Sequence, residues 1–138
     1  MLEFARLSND QISSESAVAA VTSDGAGAVV SFAGIVRDHD GGRTVTRLDY
    51  EAHPGAEGVL RSVAEAIAAE FPGARIAIEH RTGSLVVGDL ALACAVGSAH
   101  RSEAFAACAR LVDEVKRSVP IWKEQHFDDG TSEWVGAL

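Results

Sequence analysis

Lys116 and Lys123 are the only lysines of the chain and stand seven residues apart in Lys116-Arg-Ser-Val-Pro-Ile-Trp-Lys123. Arginine supplies the other ten cations, in a sequence of net charge −8. Burial and neighbours lower a lysine's pKa readily, so it can move a proton or act as a nucleophile where arginine cannot. Two of them flanking the helix-stopping Pro120 point to a site, although an arginine-biased composition would also thin out the lysines. Arg37 ends an apolar run just before a Gly-rich loop, a position where functional side chains concentrate. His100 and Arg101 fall in the first turn of an expected helix, where the dipole favours anions and a cation is unfavourable by roughly 0.3–1 kcal/mol. Such violations of local preference gather at functional sites. Lys116 belongs to the last turn of the same helix, where a cation is at home. At 1.5 Å per residue it lies more than about 20 Å from Arg101. One small pocket cannot take both from one chain, so the ligand is long or another segment or subunit completes the site.

Other patterns carry less. The five histidines lack HxH or HExxH spacing, so no metal is expected. Gly25-Ala-Gly27 lacks the third glycine and preceding strand of a dinucleotide fingerprint, and there is no Walker lysine. Ser98, His100 and Ser102 lack a GxSxG elbow. Cys94 and Cys108 lie in apolar settings without a CxxC partner and read as core thiols.

The elements that must position these residues fit one domain over residues 1–138, long enough to bury a core. Apolar residues make up 47% and charged residues 23%, as in ordinary globular chains. No run approaches the roughly 20 apolar residues of a membrane span, and the N-terminus carries no secretory pattern. A cytoplasmic location is expected. The acidic balance, pI near 5.0, argues against nucleic acid; an anionic small molecule would need locally gathered cations. The patterning predicts a strand at Leu2–Leu7, a small helix capped by Ser13 or Ser14 through about Val21, and a strand over Ala28–Arg37. A loop of turn formers, Asp38–Arg43, leads to a strand at Val45–Ala52. Val59, Leu60, Val63, Ile67 and Phe71 mark a long helix between Pro54-Gly55 and Pro72-Gly73. Strands follow at Arg75–Arg81, Ser84–Val87 and Leu90–Val96. Ser98 is the expected N-cap of a second long helix with a stripe of Phe105, Cys108, Leu111, Val112 and Val115, ended by Pro120. Ile121–Phe127 and Ser132–Val135 read as a terminal hairpin. The sum is an α+β domain of two main helices on mostly antiparallel strands.

Five blocks then fall in order: Phe32-Ala-Gly-Ile-Val-Arg37, Tyr50-Glu-Ala-His-Pro-Gly55, His80-Arg-Thr-Gly-Ser-Leu85, Gly97-Ser-Ala-His-Arg-Ser102 and Lys116–Lys123. Together, from about Ala28 to Val135, they resemble the large, catalytic subunit of molybdopterin synthase. The resemblance implies an α/β hammerhead fold with an additional antiparallel β subdomain, forming a homodimer within a heterotetramer. A small ubiquitin-like sulfur-carrier subunit would thread its Gly-Gly thiocarboxylate into a pocket and give sulfur to cyclic pyranopterin monophosphate, with no cofactor. It implies Lys116 and Lys123 as the catalytic residues. Arg37, His100 and Arg101 become the anion pocket, partly supplied by the other protomer, and Phe32 a pocket wall. Two departures stand out. Many relatives carry a glutamate where this chain has Gln125, and the chain ends at Leu138 without the longer basic tail of some relatives. The alternative is a non-catalytic module binding a ubiquitin-like tail or an anionic metabolite.

Overall fold

The computed structural model describes residues 1–136, so the chain end at Leu138 lies outside the described residues. The elements are β1 (Leu2–Ser8), α1 (Ser14–Val21), β2 (Ala28–Ile35), β3 (His39–Asp40), β4 (Arg43–Ala52) and α2 (Ala56–Glu70). Then come β5 (Arg75–Arg81), β6 (Gly83–Val86), β7 (Leu90–Ser98), α3 (Arg101–Ser118), β8 (Ile121–Phe127) and β9 (Ser132–Val135). One sheet has the order β1-β5-β7-β2, and the second runs β3-β4-β8-β9 with β6 also paired to β4. Among the described residues only β1 and β5 run parallel; the other pairs are antiparallel.

Alternation along the first sheet decides what each face receives. Ile76, Ile78, Cys94 and Val96 face α2 and α3, where Leu60, Ala64, Ile67, Leu111 and Val115 close the main core. Fully burying one such Leu or Ile contributes about 1.5–3 kcal/mol. The opposite face offers Ala77 and Ala95 to Ala17 and Val21 of α1. Small residues let α1 lie close, and a Cβ at Gly97 would run into the Val21 carbonyl. A further cluster of Val36, Val45, Leu48, Leu85, Ala91 and Phe127 packs the second sheet against the ends of β2 and β7.

Four expectations need correction. The strand expected to reach Arg37 stops at Ile35: its register on β7 slips at Gly34/Ile35, and Val36 turns inward to bond Asp89 and Gly88. The expected Asp38–Arg43 loop is a tight hairpin, Asp40 pairing with Arg43 across Gly41 (φ 57) and Gly42 (φ 78). Two successive positive φ values are those of a type I′ turn, which glycine adopts without strain. Ser98 is not the cap of α3. It is the last residue of β7, held opposite Ala28, and its hydroxyl donates to Glu103 at 2.6 Å; His100 is the N-cap. Phe105 is not on the buried stripe but 62% exposed, because Ala104 and Ala107 face the sheet instead.

Candidate active site

Pro120 ends α3 and sends the chain straight into β8, where pairing across the sheet fixes which side chains share a face. Lys123 lies opposite Tyr50 and Gln125 opposite Leu48. This face looks toward the last turn of α3, which carries Lys116, and toward the loop after β2, which carries Arg37. Lys116, Lys123, Arg37 and Phe32 thereby line a single cavity of about 360 Å³ with Tyr50, His80 and Gln125. That volume is in the range of small-molecule sites. The Lys116 ammonium lies 6.0 Å from the centroid of the Phe32 ring, at the edge of cation–π reach. None of the residues lining this cavity carries a carboxylate among the described residues.

Burial pushes the Lys123 ammonium toward neutrality; the Asp40 charge opposes this, and the Arg37 and Lys116 charges add to it. Burial likewise brings His80 down to about 4, against the help of its bond to the Arg81 carbonyl and with the Lys116 charge adding to the shift. Nδ1 donates that bond at 2.6 Å, so the neutral ring carries its lone pair on Nε2. Tyr50 meets His80 edge-on at 5.1 Å, and burial raises its phenol. At the rim, Asp40 accepts from Gln125 Nε2 at 2.8 Å and from Arg37 Nη2 at 3.2 Å. The Gln125 bond, then the Arg37 and Lys123 charges, hold this carboxyl below its usual range against desolvation. A chain of formal charge −8 therefore concentrates three cations around one cavity.

His100 and Arg101 are not in this cavity. They are exposed at the far end of α3, and Arg101 makes no ion pair among the described residues. Sequence reasoning missed Tyr50 and His80 as site residues, although a histidine on the inward stripe of Ile76 and Ile78 was the available signal. Asp40 gave no such signal, since only the hairpin brings it to Gln125. Cys94 and Cys108 are buried, as expected, with sulfurs 4.0 Å apart. On the outer face of the second sheet Asp49, Glu124 and His126 bring three ligand atoms within 4.8 Å. Ser84, Arg47 and Ser132 already engage those carboxylates, so the cluster serves as a polar strap joining β4, β6, β8 and β9. No helix among the described residues is long and apolar enough to cross a membrane.

With this geometry in hand, comparison with known proteins is specific. The family model described as MoaE protein matches residues 7–118. A Nostoc molybdopterin synthase catalytic subunit is 44% identical over 111 residues, 79% of this chain and 67% of that protein. Molybdopterin synthase catalytic subunit 1 of Mycobacterium tuberculosis is 40% identical over 136 residues, 96% of this chain and 90% of that protein. The crystal structure of molybdopterin synthase from Staphylococcus aureus superposes with a TM-score of 0.88 at 35% identity, covering 94% of this chain and 95% of that one.

Proposed function

The chain belongs to the MoaE protein family of molybdopterin synthase catalytic subunits, and from that premise we propose that it is a cytoplasmic, single-domain sulfurtransferase. It takes sulfur from the C-terminal thiocarboxylate of a small ubiquitin-like carrier and delivers it to cyclic pyranopterin monophosphate, building the dithiolene in two transfers. The observation that carries this reading is the convergence of Arg37, Lys116 and Lys123 on one cavity without a lining carboxylate. Thiocarboxylate and cyclic phosphate are both anions, and charge-assisted bonds to them are the strong ones.

In each transfer the thiocarboxylate sulfur attacks a substrate carbon as a C–O bond at that carbon breaks, the oxygen leaving either as water or on the opened phosphate, and carrier and substrate become linked. Water then adds to the acyl carbon and the acyl C–S bond breaks. The sulfur stays on the substrate with the bonding electrons, and the carrier departs with an ordinary carboxylate. Lys116 exchanges protons with the reacting groups and stabilises the tetrahedral species. Lys123 holds the carrier's terminal carboxyl and the linked intermediate. Arg37 binds the phosphate, and Phe32 walls the cavity.

His100 and Arg101 complete the anion pocket of the partner protomer in a homodimer, the core of a heterotetramer with two carriers. Free-edge geometry supports this arrangement. Strand β2 is an eight-residue edge with neither lysine nor proline to discourage pairing, and Val29, Ile35 and nearby Phe105 are exposed. An antiparallel approach of two such edges brings the start of one β2, beside Ala99, to the end of the other, where Arg37 opens the cavity.

Reconstitution tests the function. The purified protein, thiocarboxylated carrier and cyclic pyranopterin monophosphate should yield dithiolene product with matching loss of thiocarboxylate. Stable carrier binding without product would contradict the enzyme and leave a binding module.

A further inference from the structure

The cavity gathers three cations, and a carboxylate that bonds two of its lining residues stands just outside it, on the β3–β4 hairpin. Gln125 is 3% exposed and donates its amide N–H to Asp40. Arg37 reaches the other oxygen of the same carboxylate. We infer that Asp40 is a positioning residue of this site, a fixed anion bonded to Gln125, two residues along β8 from Lys123, that aims Arg37 and balances the cations that receive the carrier's carboxyl group. The inference rests on the sulfur-transfer reading above and adds to it a residue outside the cavity lining.

The neighbours of Lys123 leave this task to Asp40. From α3 comes Lys116 and from the loop after β2 comes Arg37, both cations that oppose its charge. Tyr50 lies opposite it on β4, His80 lines the cavity from β5, and Val135 pairs with it on β9. Buried Tyr50 has its phenol raised and His80 is neutral at ordinary pH, so neither supplies a negative charge. Asp40, ionised by its bonds to Gln125 and Arg37, is the anion that offsets burial at Lys123. The hairpin makes the placement rigid: Gly41 and Gly42 close the turn, and Asp40 pairs with Arg43. Across the Gln125–Asp40 bond an amide and a carboxylate face each other, so the two groups can be exchanged with the bond kept.

That exchange is the test. With only two lysines, isotope-labelled lysine gives two NMR signals, and Lys116→Arg identifies which is Lys123. In Asp40→Asn the Lys123 titration midpoint should move to lower pH. Sulfur transfer at neutral pH should fall roughly 10-fold, the scale of one lost contact to a charged group, and the alkaline limb of its pH–rate profile should move the same way. Combining Asp40→Asn with Gln125→Glu returns a carboxylate to the pair and should recover midpoint and rate together, which a merely structural role would not produce. An unmoved midpoint in Asp40→Asn, a wild-type rate despite a moved midpoint, or no recovery in the double variant would each overturn the inference. The NMR titration needs no turnover, so a protein that transfers no sulfur at all would refute the proposed reaction separately.

Discussion

Lys116 and Lys123 sit on different elements, and the cavity exists because Pro120 lets one segment end a helix and start a strand within five residues of Lys116. Their rarity in the sequence was the strongest clue to chemistry, Arg37 was legible from its place at the end of an apolar run, and Phe32 entered only through the family resemblance. His80 was only half legible. A histidine on an inward stripe was visible, but its neutral state follows from burial at 2% exposure, which no sequence pattern supplies. That burial has a consequence for stability. His80 titrates near 4 in the folded protein and near 6.5 when unfolded. Between those values the unfolded chain takes up the proton and the folded one does not. The contribution is therefore fully present above pH 6.5 and is lost as pH falls toward 4, on the order of 3 kcal/mol in all. His80→Gln, which keeps a donor for the Arg81 carbonyl, should flatten this part of the pH dependence in urea unfolding. An unchanged slope would show that other groups carry it.

At the scale of elements, hydrophobic period located the three helices and most strands to within a residue or two, because each buries one face against the sheet. The errors arose where tertiary contacts override local pattern. Ser98 has the chemistry of a cap, yet pairing with Ala28 keeps it in β7. Phe105 has the right spacing for the core, yet the stripe that fits the sheet is the one with Ala104 and Ala107. The hairpin at Asp40 was hidden in a run of turn formers whose pairing partner, Arg43–Thr44, only the register reveals. The close seating of α1 is a testable element-level feature. Gly97→Ala forces a methyl against the Val21 carbonyl and should cost about 1–3 kcal/mol in chemical denaturation, as overpacking does. A neutral effect would mean that α1 moves away freely.

For the whole molecule, the two ends of α3 present cations more than about 20 Å apart, a separation the sequence already disclosed. The family resemblance offered a second protomer as the answer, whereas the free edge of β2 and its exposed apolar residues become visible only once the sheet order is known. If partner protomers share each site, mixing Arg101→Ala with Lys116→Ala protomers should restore activity through the sites that receive both intact residues. No rescue would mean each pocket is built from one chain. Lys116 bears the central claim, and single-turnover sulfur transfer from thiocarboxylated carrier to cyclic pyranopterin monophosphate tests it most directly. Lys116→Ala should bind the carrier normally and lose at least about 100-fold in rate, the scale of a missing acid–base group. A variant that transfers sulfur at the wild-type rate would contradict the assignment of this cavity as the reaction site.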